Sequence, residues 1–208
     1  LNLGFAHLQL GQTKQAIPHF RKTVAILETM LDENTPAFIQ ELTYLGETLQ
    51  GFGGDEFSIE LFTRAVEIGK RIYGSDNINI APLLNSLGNA CNELEKYDLA
   101  EASLKDALAI NIQHYGQNHL EVAATLGNLA LVYEDQREFQ LARPLLERSL
   151  EITEELSDDN SDAASIGRIN LAMVLKEQGL NLEAKALLER ALHDLERILS
   201  ADDPLLSV

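Results

Sequence analysis

Residues 127–150 read GNLALVYEDQREFQLARPLLERSL. Leu129 in this stretch is one of five leucines spaced 42 residues apart, the others being Leu3, Leu45, Leu87 and Leu171. A fixed period of that size marks a stacked-repeat protein, in which each unit packs only against its neighbours. The companions of Leu129 keep the same register: Gly4, Gly46, Gly88, Ala130 and Ala172 follow the leucines directly. Thirteen residues after each leucine stands Ala16, Ser58, Ala100, Ala142 or Ala184. Four further on come Phe20, Phe62, Leu104, Leu146 and Leu188, then Thr23, Ala65, Ala107, Ser149 and Ala191, then Val24, Val66, Leu108, Leu150 and Leu192. Steps of three and four residues place such side chains on one face of a helix, and the small residues let helices approach closely.

Each unit therefore predicts two helices. Helix A carries the Leu-small pair, as over residues 125–136, and helix B carries the small-large string, as over residues 139–155. Gly11, Gly53 and Gly179 fall in the turn between them, where a left-handed backbone costs little. Pro18 and Pro144 are expected in the first turn of helix B, where a missing amide hydrogen loses nothing. Polar loops such as 115–119 and 157–161 separate the units.

Leu129-Ala130, Tyr133, Phe139, Ala142, Leu146 and Ser149 resemble the consensus of the tetratricopeptide repeats. The 42-residue unit is longer than the common one, and within the superfamily it is similar to the kinesin light chain repeats. Asn128-Leu129-Ala130, Ala142-Arg143-Pro144-Leu145 and the loop from Gly116 to Val122 with its His119 carry that similarity. The resemblance covers all five units and implies an all-α, right-handed superhelical solenoid of helix-turn-helix repeats. The repeats run over about 1–36, 37–78, 79–120, 121–162 and 163–204, as a single solenoid domain spanning 1–208. The opening Leu1-Asn2-Leu3 has no capping residue before it, and Pro204 stands four periods after Pro36. Both features read as a fragment of a longer array.

Thirty-three acidic against sixteen basic residues give a net charge of -17, a field that repels nucleic-acid phosphates and anionic lipid heads. Neither nucleic acid nor membrane is expected as a partner, and no apolar run is long enough to span a bilayer. The single Cys91 excludes an internal disulfide and fits a reducing, cytoplasmic compartment; its place in helix A reads as a buried small apolar residue.

Catalytic and metal-binding patterns are missing. His7, His19, His114, His119 and His193 are never paired at a three- or four-residue step, and His114 with His119 reads as a solvated loop pair. The run Asp158-Asp159-Asn160-Ser161-Asp162 lacks the glycine and glutamate of a calcium loop. There is no phosphate cradle and no nucleophile elbow. The expectation is a protein that is not an enzyme and carries no cofactor or metal.

The resemblance further implies that the A helices line the inside of the curve. The positions one before, two after and five after each repeating leucine then face a groove: Asn2, Phe5 and Leu8; Tyr44, Glu47 and Gln50; Ser86, Asn89 and Asn92; Asn128, Leu131 and Glu134; Asn170, Met173 and Lys176. Asparagine is a poor helix former, so its recurrence there needs another reason. A row of amides can clasp the backbone of an extended peptide. The family's clasping asparagine, just before the Leu-Ala pair, is matched at Asn2, Asn128 and Asn170, whereas Tyr44 and Ser86 depart from it. The competing reading is that these amides hold neighbouring A helices in register.

Arg168 and Lys176 are the only basic residues assigned to an A helix, and Glu47, Glu93, Glu134, Asp135 and Glu177 make the inner face acidic. The lysines and arginines with which related domains clamp carboxylates or acidic cargo are therefore missing. The expected ligand is a neutral-to-basic extended or helical segment of a partner protein, anchored at Phe5, Tyr44, Leu131 and Met173. An adaptor or scaffold leads. A peptide-sensing domain of a larger bacterial signalling protein and an oligomerisation scaffold, self-associating through exposed solenoid ends, are the alternatives.

Overall fold

A computed structural model describes residues 2–53, 56–156 and 162–201. The loop 158–162 save Asp162, and the terminal residues 204–208, lie outside them, so the readings placed there are not addressed further. Among the described residues there are ten α-helices, and no strand. They are α1 (Asn2–Gln9), α2 (Thr13–Met30), α3 (Pro36–Gln50), α4 (Glu56–Tyr73), α5 (Ala81–Glu93), α6 (Tyr97–Tyr115), α7 (Leu120–Asp135), α8 (Phe139–Leu156), α9 (Asp162–Glu177) and α10 (Asn181–Ala201). Odd-numbered helices are the A helices and even-numbered ones the B helices. The chain divides into two compact units, Leu1–Ile110 and Asn111–Val208, with the boundary inside α6.

The turn from A to B repeats at the level of single hydrogen bonds. The N–H groups of Gln12, Lys96, Glu138 and Leu180 donate to the carbonyls of His7, Cys91, Tyr133 and Leu175, five residues back, at 2.7–2.9 Å. This bond closes a helix only if the residue before the donor adopts a left-handed conformation. Gly11, Gly53 and Gly179 do so at φ 70°, 100° and 80°. The same position in the third and fourth repeats holds Glu95 at φ 57° and Arg137 at φ 60°, where a side chain makes that backbone costly.

Entry into the A helices is periodic too. The side chains of Thr35, Asn77 and His119, again 42 residues apart, accept hydrogen bonds from the N–H groups of Phe38, Asn79 and Glu121, Asn77 capping the short 3₁₀ turn Ile78–Ile80 that leads into α5. His119 is thus an N-cap through its Nδ1 and not merely a solvated loop residue, and its ring stacks on Tyr115 at 4.0 Å. That cap starts α7 at Leu120, earlier than the expected 125, because Val122 and Ala123 already pack into the core.

Two expectations are corrected. Pro18 and Pro144 are the sixth residues of α2 and α8, beyond the first turn, since each B helix begins immediately after its turn at Thr13 or Phe139. Each proline therefore removes a bond that the helix would otherwise make. Leu8 is a core residue, 1% exposed, and does not face a groove.

The core is a ladder of matched sizes. Leu45, Leu87, Leu129 and Leu171 are buried, as are Phe20, Phe62, Leu104 and Leu146 on the B helices. Glycine faces phenylalanine in the first two repeats and leucine in the third: a Cβ built on Gly46 would lie 2.7 Å from Cζ of Phe62, one on Gly4 3.0 Å from the Phe20 ring, and one on Gly88 2.6 Å from Cγ of Leu104. In the fourth repeat the equivalent positions hold Ala130 and Leu146, both buried.

One core position breaks the apolar pattern. Leu42, Leu84 and Leu126 are buried at equivalent places in successive A helices, and Ile68, Ile110 and Ile152 at equivalent places in the B helices. The fifth repeat has Arg168 and Asp194 there instead. Arg168 is fully buried, so it contributes no positive charge to an inner face. Its Nη1 donates to Oδ2 of Asp194 at 2.7 Å, while Nη2 and Nε donate to Oε1 of Glu154 at 2.7 and 3.1 Å. Arg190 approaches the same Glu154 oxygen at 3.6 Å. The triad ties α8, α9 and α10 together inside the second unit.

Candidate functional site

In the first unit, α1, α3 and α5 supply the A-helix positions. Phe5 of α1 and Tyr44 of α3 meet with ring centroids 6.4 Å apart, and half of Tyr44 stays exposed. Gln50 of α3 donates its Nε2 to Oε1 of Glu93 on α5 at 3.0 Å. These two contacts link neighbouring A helices, α1 to α3 and α3 to α5. Asn2 and Glu47 are exposed, and Ser86, Asn89 and Asn92 are half-buried. Burial pushes the Glu93 carboxyl above the usual range, and the Gln50 bond works against that shift.

In the second unit, α7 and α9 do the same. Leu131, Met173 and Lys176 are exposed, whereas Asn128, Glu134 and Asn170 are half-buried. Glu134, Met173 and Lys176 line one open cleft with Asp135, Arg137, Phe139 and Glu177. The Glu134 carboxyl is raised, first by burial and then by the charges of Asp135 and Glu177. A partly desolvated acid beside two others favours an approaching cation.

The amides separate into two sets. Asn2, Asn89, Asn128 and Asn170 make no side-chain hydrogen bond to another described residue. Asn92 is already engaged. An amide offers two donors and an acceptor, so the first set retains its full capacity for an outside partner.

Cys91 sits among these helices but is closed to reagents. It is buried, and burial, with Glu56 adding and Lys96 opposing, pushes its thiol up to about 11. At pH 8 only about one molecule in a thousand would carry the reactive thiolate. Thiol titration with a colorimetric disulfide reagent should therefore find no reaction in the native protein and one equivalent in urea. Rapid native labelling would show that α5 opens locally.

Sequence reading missed two features here. One is the Arg168 triad, although Leu42, Leu84 and Leu126 spaced at 42 residues would have exposed it as a substitution in a core register. The other is Arg137, whose guanidinium lies 5.5 Å from the Phe139 ring centre and 3.3 Å from Glu177. Among the described residues, no group of three or more His, Cys, Asp or Glu could hold a metal ion, and no helix is long and apolar enough to cross a membrane.

The tetratricopeptide repeat family matches residues 39–113 and 121–197, and a second form of the repeat matches residues 1–37. Over 110 residues, 52% of this chain, the sequence is 30% identical to the human clustered mitochondria protein homolog; that stretch is 8% of the relative's length. Among solved structures, the nearly identical TPR-like repeats of a Podospora anserina protein of kinesin light chain type superpose with a TM-score of 0.73 at 22% identity, over 95% of this chain and 93% of that one. BtubC (BKLC) from P. vanneervenii gives 0.75 at 22% identity, over 94% and 78%. Aspartyl phosphate phosphatase F from Bacillus subtilis gives 0.75 at 17% identity, over 95% and 51%.

Proposed function

The chain belongs to the tetratricopeptide repeat family, and from that premise we propose that it is a non-catalytic binding module whose A-helix face holds a peptide segment of a partner protein. Repeats of this family generally mediate protein–protein interaction. The observation that carries the peptide reading is the set of amides at Asn2, Asn89, Asn128 and Asn170, which make no side-chain bond to another described residue. Amides that held the repeats in register would be spent on neighbouring helices; these are not. Exposed Leu131 and Met173 beside Asn128 and Asn170 offer apolar anchorage along the same face. With acids on that face, the partner segment is neutral to basic.

Calorimetry with acidic, neutral and basic extended peptides tests this. The neutral and basic sets should bind, and Asn128→Ala should weaken the complex by about 1–3 kcal/mol, the cost of unpairing a buried polar group. The variant's own unfolding midpoint should hold. A loss of folding stability with affinity unchanged would assign Asn128 to repeat register, and binding confined to acidic peptides would contradict the charge argument.

A further inference from the structure

Beside the α7–α8 turn, the second unit carries two open clefts of about 410 and 490 Å³ that share Arg137, Phe139 and Glu177. Arg137 lines both: its Nη2 reaches Oε2 of Glu177 at 3.3 Å while its guanidinium lies over the Phe139 ring. Were that side chain to swing out, the two clefts would join into one trough. The side chain is 75% exposed, and a solvated ion pair of this kind holds weakly.

The walls suit a long cationic side chain. Phe139 presents an aromatic face and Met173 an exposed thioether, surfaces on which an aliphatic stem or a guanidinium plane can lie. Three carboxylates, Glu134, Asp135 and Glu177, line the first cleft together with Arg137 and Lys176. If Arg137 left, Glu177 would lose that ion pair.

We infer that this trough takes a lysine or arginine side chain of a bound peptide, and that Arg137 is the chain's own stand-in for it. The inference rests on the reading that the A-helix face binds a peptide. A cation delivered by a peptide already clasped at Asn128 arrives at high effective concentration. It displaces Arg137 from Glu177 and lies against Phe139, while Arg137 moves into solvent at small cost.

The test is selection of a random-sequence displayed peptide library on the full chain, followed by fluorescence anisotropy of the selected peptides. Lysine or arginine flanked by apolar residues should be enriched. Citrulline in place of arginine, which keeps the shape and removes the charge, should weaken binding about tenfold, as loss of one charge-assisted bond predicts. Glu134→Gln combined with Glu177→Gln should do the same, and Arg137→Ala should tighten binding. All three positions are at least partly exposed, and thermal melts will verify that the variants fold. Peptides that lose affinity on Asn128→Ala yet show no basic enrichment, or ignore citrulline and the paired glutamine variant, would overturn the trough and leave the binding face standing. Weaker binding by Arg137→Ala would overturn its role as a stand-in. Recovery of no peptide, or only of peptides indifferent to Asn128, would remove the binding-face reading and this inference together.

Discussion

Arg168→Leu alone is expected to destabilise the second unit by about 3–5 kcal/mol, while Arg168→Leu with Asp194→Ile is expected to be neutral or more stable than the parent by about 1–4 kcal/mol. The single change leaves Asp194, almost wholly buried, without the Arg168 guanidinium that pairs with it at 2.7 Å. A buried carboxylate that loses its paired guanidinium is strongly destabilising. The double change restores the leucine and isoleucine that earlier repeats bury at these places, as Leu126 and Ile152 do. A buried ion pair gains less over such an apolar pair than it costs to desolvate. Because repeat arrays need not unfold in one step, the effect should be read locally, by hydrogen exchange of α9 and α10 amides. A double variant as unstable as the single one would mean that the triad supplies stability outright. The expected result instead makes it a device of register: α10 cannot slip one turn along α9 without burying unpaired charge.

What could be read in advance follows from what a period can encode. The leucine and small-residue ladder located every hairpin, because spacing along the chain maps directly onto a helix face. Packing depth at the glycines was half legible: small residues were expected at close approaches, but the pairing of Gly46 with Phe62 and of Gly88 with Leu104 needs the two helices in place. The Arg168 triad was hidden because its partners, Glu154 and Asp194, lie on two other helices, and a lone arginine on a helix looks like surface. Glu95 and Arg137 concealed left-handed turns because the backbone bond to the carbonyl five residues back, not the side chain, enforces that conformation. Pro18 and Pro144 misled in the opposite direction, since a preference for the first turn is statistical and the helices here start earlier. The face positions were assigned through the family resemblance alone, and Leu8 shows its limit: in the short helix α1 the fifth residue after Leu3 turns into the core.

The ladder of matched sizes yields the second large effect, in the first unit. Phe62→Ala should cost about 3–5 kcal/mol, as aromatic truncations in close-packed cores do, since Gly46 opposite has no side chain to close the void. Gly46→Ala should also destabilise. Its new methyl would lie 2.7 and 2.8 Å from Cζ and Cε1 of a ring that is itself fully enclosed, so the ring cannot retreat. Overpacking of that kind costs about 1–3 kcal/mol, against which better helix propensity returns about 1 kcal/mol. Phe62→Leu leaves a smaller void than alanine does. Combining it with Gly46→Ala installs the residues that the fourth repeat has at these two positions, Ala130 and Leu146, both buried there. The two changes should therefore compensate, the double variant being more stable than the sum of the singles by about 1–2 kcal/mol, within the range of coupling between touching residues. Urea denaturation of the four proteins, followed by exchange of α3 and α4 amides, measures that coupling. Simple additivity would mean that the two helices shift apart to admit the methyl group, and that the glycines set helix spacing only loosely.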